Sequence, residues 1–391
     1  MNKNLKKIGI LLTTVILGLV LFVSCTGAPA PRGWAGVSEL NGTLVFITIS
    51  GRVYSVDSTT GAVRGEPIRL VTPSPGGFFS CGTQTVPIAV YASPVTNNDL
   101  VIIGGYDGRV YAYPLVDGRL MEDWRWVYPR QGNIGGAIIG GLTVSGGKVF
   151  FGSTTGAVFA LNAADGFKEW STDLGQKIWS APAVDGTTLY ISTFNKKLIA
   201  LSSTDGTKKW EFETEGAISA TPVISNNLVY FGSYDRHMYA VEAQTGKLAW
   251  KFPAEGSAEA PKNWFWAKPV ISRDTLFAPN LDGNVYALDT RNGSLIRSVN
   301  LGNAISSSPV LVGDNLIAAA TDLAKKTSRI YSINTRDFSM RELASMTEGV
   351  NAPLFASGGT VYLHSTRDNF YGLNAQNGAL QKFSLSITTT K

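Results

Sequence analysis

Cysteine and histidine are scarce in this chain. Its 391 residues include two cysteines, Cys25 and Cys81, and two histidines, His237 and His364. The histidines stand far apart and in no metal-binding spacing, so the sequence offers no ligand set for zinc. Two cysteines do not make a disulfide scaffold either. If Cys25 is modified at the N-terminus, Cys81 has no partner and is either a small buried side chain or an exposed thiol.

Charge is also sparse. Charged residues make up 16% of the chain, and the formal net charge is +5. Three of those positive charges precede Cys25, which leaves about +2 on the rest. Basic runs are missing there, so the sequence does not indicate nucleic acid as a partner. Neither a P-loop nor a G-x-S-x-G element is present, so nucleotide binding and nucleophilic hydrolysis lack motifs.

The N-terminus differs in kind from the rest of the chain. A lysine-rich start precedes an apolar run over residues 8–23, which is too short for a comfortable membrane span and predicts a signal peptide over 1–24. Residues 21–24 before Cys25 resemble the bacterial lipobox, although Phe22 departs from the usual aliphatic residue. We therefore expect an exported protein, anchored to a cell-envelope membrane through a lipid on Cys25. An ordinary signal peptide or an uncleaved anchor is the alternative.

Residues 25–33 are rich in Pro, Gly and Ala and are expected to form a flexible tether that follows the lipidated cysteine. Such a composition cannot bury a core. We expect the folded body to occupy residues 34–391.

The chain is rich in glycine and in copies of one short sequence pattern. There are 42 glycines, and an apolar triplet followed by a small residue and a Gly-bearing turn recurs eight times. The aligned positions, spaced 40 to 57 residues apart, are Tyr54, Tyr111, Phe159, Ile199, Tyr239, Tyr286, Tyr331 and Tyr371. A strand-rich period of this size indicates a β-propeller. The predicted fold is all-β: an eight-bladed propeller of four-stranded antiparallel blades.

A second pattern supports the propeller and points to a family. An Ala, a Gly six residues later and a Trp ten residues later recur as Ala160, Gly166, Trp170; Ala200, Gly206, Trp210; and Ala240, Gly246, Trp250. This resembles the tryptophan-docking repeat of quinoprotein-like (PQQ-like) propellers, over about residues 34–385. In that family the Trp lies against an adjacent blade, so the resemblance implies a structural role for these rings.

The same resemblance raises a quinone-dependent oxidoreductase as one hypothesis. Dehydrogenases that use pyrroloquinoline quinone resemble one another in an adjacent Cys pair, acidic and amide ligands for Ca²⁺, and a general-base Asp. Here the cysteines are 56 positions apart. We therefore expect no cofactor, no metal and no catalytic residue, and we keep the oxidoreductase as the alternative.

We expect functional residues at positions that do not follow the repeat. Irregular aromatic segments fall in the connections that emerge on one propeller face, and such aromatics with polar neighbours are typical of protein interfaces. The candidate partner-binding residues are Phe78, Phe79, Trp179, Tyr234, Arg236, Trp264, Phe265 and Trp266. The alternative is that these loops fold inward and plug the central channel.

A lipobox followed by an eight-bladed, tryptophan-docked propeller resembles the BamB-like family of scaffold lipoproteins from the outer-membrane β-barrel assembly machinery. The resemblance implies a non-catalytic, membrane-anchored scaffold that binds protein partners on one face. The identity of the partner, the membrane and the way the ring closes stay open at this point.

Overall fold

The computed structural model describes residues 33–73, 85–257 and 260–385. Within these ranges the regular structure is entirely β, arranged as eight four-stranded antiparallel blades, one of which carries an extra strand. The predicted fold class is therefore confirmed. None of the described residues forms a helix long and apolar enough to cross a membrane.

The first four blades follow chain order. Blade 1 contains β1 (Ser38–Leu40), β2 (Thr43–Ile47), β3 (Arg52–Asp57) and β4 (Ile68–Arg69); a separate ribbon pairs β5 (Val71–Pro73) with β6 (Thr85–Pro87); blade 2 contains β7 (Val95–Asn97), β8 (Leu100–Gly104), β9 (Val110–Val116), β10 (Arg119–Leu120) and β11 (Trp126–Tyr128); blade 3 contains β12 (Thr143–Ser145), β13 (Lys148–Gly152), β14 (Ala157–Asn162) and β15 (Lys168–Asp173); blade 4 contains β16 (Ala183–Asp185), β17 (Thr188–Ser192), β18 (Lys197–Ser202) and β19 (Lys208–Glu213).

The other four blades repeat the meander more regularly. Blade 5 contains β20 (Val223–Ser225), β21 (Leu228–Gly232), β22 (Met238–Glu242) and β23 (Leu248–Phe252); blade 6 contains β24 (Val270–Ser272), β25 (Thr275–Pro279), β26 (Asn284–Asp289) and β27 (Leu295–Asn300); blade 7 contains β28 (Val310–Val312), β29 (Asn315–Asp322), β30 (Thr327–Asn334) and β31 (Met340–Met346); blade 8 contains β32 (Phe355–Ser357), β33 (Thr360–His364), β34 (Phe370–Asn374) and β35 (Leu380–Lys382).

Burial along the strands follows from radial stacking. The first strands of neighbouring blades contact one another, as β12 contacts β16 and β16 contacts β20, so they line the axis. The second and third strands are buried on both sides because each blade is covered by two neighbours; β2 is buried at all five positions. The fourth strands lie at the periphery and are largely exposed, as in β15. The hydrophobic core therefore lies between blades, and no blade buries its apolar surface alone.

Tryptophan rings lock successive blades together as the docking resemblance implied. The Trp250 ring lies over Gly293 of the next blade, and its Nε1 donates to the Thr290 carbonyl oxygen at 2.9 Å. Gly293 has φ +72°, and a Cβ built there would stand 2.5 Å from a ring carbon. Glycine is thus required twice, by the left-handed backbone and by the contact. Trp170 over Gly206 and Trp210 over Gly246 repeat this geometry.

A fourth docking tryptophan lies outside the expected spacing. Trp126 begins β11, covers Gly166 of blade 3 and donates from Nε1 to the Ala163 carbonyl oxygen at 3.2 Å. The periphery of blade 2 is divided between β10 and β11, both of which pair with β9. That division moves Trp126 away from the regular Ala–Gly–Trp spacing, so the sequence pattern does not reveal its docking role.

Blade 8 closes the ring against blade 1 through side chains. Each of these blades has four strands of its own, so among the described residues the two chain ends share no blade. Phe46 stacks on Phe370 with ring centroids 4.4 Å apart, and Phe383 packs beside Gly61. Phe383, one residue beyond the Trp-equivalent position at Lys382, therefore takes the place that tryptophan has in blades 2 to 5.

A buried histidine strengthens this seam. The Nδ1 of His364 lies 2.7 Å from the Ala35 carbonyl oxygen, and its Nε2 lies 3.1 Å from Oδ1 of Asp368. The same Oδ1 accepts the backbone N–H of Ile49 at 2.8 Å. His364 and Asp368 thus join blade 8 to the residues just before β1 and just after β2.

We predict that Trp250→Ala destabilises the propeller by about 3–5 kcal/mol, because it removes a buried ring and leaves a cavity between blades 5 and 6. Chemical denaturation followed by circular dichroism measures the effect. Phe167→Ala is the matched control: this ring is 72% exposed, and its removal should change stability by less than ~0.5 kcal/mol. Equal effects of the two substitutions would show that docking does not hold the blades together.

Candidate protein-binding face

The connections on one face of the propeller bring five aromatic rings into a continuous row. Tyr234 stacks on Trp264 with centroids 4.6 Å apart and planes 5° apart, and on Trp266 at 5.7 Å. Phe194 contacts Tyr234 edge-on at 5.8 Å, and Phe194 in turn lies 4.2 Å from Trp179. We call this row the aromatic array; its members are Trp179, Phe194, Tyr234, Trp264 and Trp266. It extends across blades 4 to 6.

The meander explains why these residues meet. Turns between second and third strands emerge on the same face as the connections from one blade to the next. Phe194 and Tyr234 lie in such turns, whereas Trp179, Trp264 and Trp266 lie in connections between blades. Asp235 fixes the Tyr234 turn, because its carboxylate accepts from the Tyr239 hydroxyl at 2.9 Å and from the backbone of Glu215 at 3.0 Å.

The array combines apolar surface with solvent access. Trp264 is 43% exposed, and the other four rings are partly exposed. Burial raises the pKa of Tyr234 to about 12, so its hydroxyl is neutral over the physiological range. Flat, rigid rings of this kind supply contact area at low entropic cost.

Most of the predicted site residues that the structure describes come together. Trp179, Tyr234, Trp264 and Trp266 share the array, and Arg236 is exposed in the Tyr234 turn. Phe265 is a correction, because its side chain is fully buried and packs 5.9 Å from Tyr286 in the core between blades 5 and 6. Neighbours in an extended segment point to opposite sides, which sends Phe265 inward.

Phe78, Phe79 and Cys81 lie outside the described residues, as do Cys25, the signal segment and the tether up to Arg32. Phe194 was not predicted. Its position in the repeat could have identified it, because Phe194 occupies the same turn of blade 4 that Tyr234 occupies in blade 5.

A second aromatic group lies in connections of the same kind in blades 1 and 2. Trp34 contacts Tyr91 edge-on at 4.6 Å, and Tyr91 lies 5.4 Å from Tyr106. Trp34 is 47% exposed and Tyr106 is 41% exposed. Desolvation raises the pKa of Tyr91, and the nearby Tyr106 adds to that effect. This group begins at the first residue after the predicted tether.

Two cations beside the array occupy strained backbone positions. Lys196 has φ +67° and Arg236 has φ +71°, four residues after the ends of β17 and β21. The equivalent positions in blades 2, 3 and 6 are Gly108, Gly156 and Gly283. A left-handed conformation costs a non-glycine residue about 1–2 kcal/mol. Both side chains are exposed, and neither forms an ion pair within the described part of the chain.

The described residues contain no group of three or more His, Cys, Asp or Glu side chains placed to hold a metal ion. The carboxylates on this face are instead engaged by their own turns. Asp282, for example, accepts from the Tyr286 hydroxyl at 2.8 Å and from the backbone of Lys262 at 2.9 Å.

The fold and its docking tryptophans define a quinoprotein-like, eight-bladed propeller. The family described as Outer membrane protein assembly factor BamB matches residues 28–177, 124–217 and 175–382. The chain therefore belongs to the BamB family. Outer membrane protein assembly factor BamB of Escherichia coli (strain K12) is 32% identical over 151 residues, which cover 36% of this chain. That alignment spans 38% of the relative's own length.

Solved structures show the same fold in proteins of different kinds. BamB from Moraxella catarrhalis has a TM-score of 0.60 at 18% identity, covering 74% of this chain and 86% of its own. Quinohemoprotein alcohol dehydrogenase from Comamonas testosteroni has a TM-score of 0.61 at 15% identity, covering 75% and 66%. At such identities the likeness concerns the fold alone, because one propeller hosts different functions.

We predict that Arg236→Gly makes the protein more stable than Arg236→Ala by about 1 kcal/mol. Both substitutions remove the charge, but only glycine relieves the left-handed backbone, so the pair separates strain from electrostatics. Thermal unfolding of the two variants measures the difference. Identical melting temperatures would mean that the turn is not strained.

Proposed function

We propose that this protein is a non-catalytic scaffold, anchored to the membrane by a lipid on Cys25, that binds protein partners through the aromatic array during outer-membrane protein assembly. Membership of the BamB family supports the assembly role. The observation that carries the binding role is the array itself, a continuous row of partly exposed rings on one face of the propeller.

Physical reasoning favours a protein as the ligand of this face. Aromatic residues and arginine dominate the binding energy of protein interfaces when they form a central cluster. The array supplies such a cluster, and Arg236 and Lys196 flank it with unpaired charge in the described part of the chain. The exposed rings of Trp34 and Tyr106 offer a second contact area in the connections of blades 1 and 2.

The proposed lipid anchor is compatible with partner binding through the aromatic face. A Pro- and Gly-rich tether of nine residues would let the propeller turn relative to the bilayer while a diacyl or triacyl group holds it there. A partner in the same membrane would then meet the face at high effective concentration.

We predict that the double substitution Trp264→Ala and Trp266→Ala reduces partner capture at least tenfold, because it removes two rings of the array. Crosslinking in intact cells, followed by pull-down and mass spectrometry, identifies the captured proteins. Trp124→Ala is the matched control: Trp124 is 54% exposed but belongs to the blade 2 segment between β10 and β11. Melting temperatures establish that each variant is folded.

Two results would overturn the scaffold proposal. One is unchanged capture in the double variant while its melting temperature also stays constant. The other is dye reduction by the purified protein after addition of pyrroloquinoline quinone and Ca²⁺, which the oxidoreductase hypothesis requires.

The anchor has a separate test. Cys25→Ser should move the protein from the membrane pellet to the soluble fraction, because serine cannot take the thioether-linked lipid. Cys81→Ser is the control, and it should remain in the pellet. Retention of the Cys25 variant in the pellet after a salt wash would contradict lipid anchoring.

A further inference from the structure

The central channel carries one charged residue at a position that is otherwise small or uncharged. We define the channel ring as the residues two positions before the innermost strand of each blade: Gly36, Ser93, Gly141, Ala181, Thr221, Lys268, Ser308 and Pro353. Neighbouring members touch: the Ala181 N–H donates to the Thr221 hydroxyl at 3.2 Å, and the Lys268 N–H donates to the Ser308 hydroxyl at 3.1 Å. Only blade 6 places a cation in the ring.

Lys268 has no counter-charge among the described residues. None of the ion pairs found there includes it, and the cavity that it lines takes its other walls from β12, β16, β20 and the residues beside them. Asp185 is the carboxylate in that lining, and it lies at the far end of β16, beyond the ring. Solvent reaches the amine, yet the surrounding walls desolvate it and lower its pKa.

The two ring neighbours of Lys268 are suited to help hold an anion. The hydroxyl oxygens of Thr221 and Ser308 each accept a backbone N–H, and neither hydroxyl donates to another described group. Their O–H groups are therefore free to donate into the channel. Lys268 and Thr221 line the same cavity, and the Ser308 hydroxyl lies 3.1 Å from the Lys268 backbone nitrogen. An ammonium with hydroxyl donors in its neighbourhood matches the needs of a carboxylate or phosphate oxygen.

The geometry points to an oxyanion-binding site at Lys268, in which Thr221 and Ser308 assist and the ligand group is a carboxylate. The cavity beside it, about 620 Å³, admits a small di- or tricarboxylic acid. An acidic side chain of a docked partner is the second source of the same chemistry, because Lys268 lies two residues from Trp266 of the aromatic array.

The first experiment uses the purified full chain without any partner, so its outcome does not depend on the proposed function. Citrate, succinate and inorganic phosphate are titrated by calorimetry. We expect saturable binding that Lys268→Gln weakens at least tenfold, that Lys268→Arg retains, and that Thr221→Val and Ser308→Ala each weaken several-fold. Lys262→Gln, which alters an exposed lysine in the same connection, should bind like the unaltered protein.

The second experiment distinguishes the two sources. Partner capture is repeated with Lys268→Gln and with citrate in excess. Loss of capture in both cases assigns the site to a partner carboxylate, and undiminished capture assigns it to a free organic acid.

The inference is overturned if none of the three anions binds saturably to the unaltered chain. It is equally overturned if Lys268→Gln, with an unchanged melting temperature, binds them as strongly as Lys262→Gln. Failure of the Trp264 and Trp266 double variant to lose capture would leave the titration result intact, so the two proposals can fail separately.

Discussion

The contact between blades is the interaction on which the rest of this structure depends. A tryptophan from one blade lies on a left-handed glycine of the next and donates to a carbonyl oxygen beside it, four times between blades 2 and 6. The carbonyl acceptor satisfies the indole N–H, which burial would otherwise leave unpaired. Since every blade is covered by a neighbour on each side, the side chains of its middle strands are committed to packing. The surfaces left for recognition are the axis, the outer edge and the two faces.

The contact between blades 8 and 1 must reach the same result by different means. Phe46, Phe370 and Phe383 pack together there, and the ring nitrogens of His364 lie within hydrogen-bond distance of Ala35 and Asp368. A ring is stable only when its last interface forms, because each blade depends on two neighbours. Side-chain packing thus does at this seam what tryptophan docking does in blades 2 to 6.

The number of blades and their four-stranded make-up could be predicted from sequence because the repeat is carried by buried residues. The small–apolar phrase around Tyr239 reappears wherever a third strand has to pack between two blades. Trp126 was not predicted as a docking residue because the division of the outer strand into β10 and β11 moves it away from the regular Ala–Gly–Trp spacing. Phe265 was predicted to be a surface residue because a run of three aromatic residues does not indicate which side chain points into the core. The contact at His364 joins residues more than 300 positions apart in the sequence, and no local sequence pattern predicts such a contact.

Two unpaired turn cations, a channel lysine and the aromatic array lie in one sector of the molecule. Blades 4 and 5 place Lys196 and Arg236 where blades 1, 2, 3 and 6 have a left-handed glycine, and blade 6 places Lys268 in a ring of small or uncharged residues. Each choice is unfavourable for the isolated chain, through backbone strain in the turns and through desolvation in the channel. The described contacts of these side chains offset neither effect. An external ligand that supplies negative charge would offset the desolvation at Lys268, and the aromatic array lies across the same three blades. Lone charge and the aromatic array are therefore the grounds on which we propose that this sector binds a ligand.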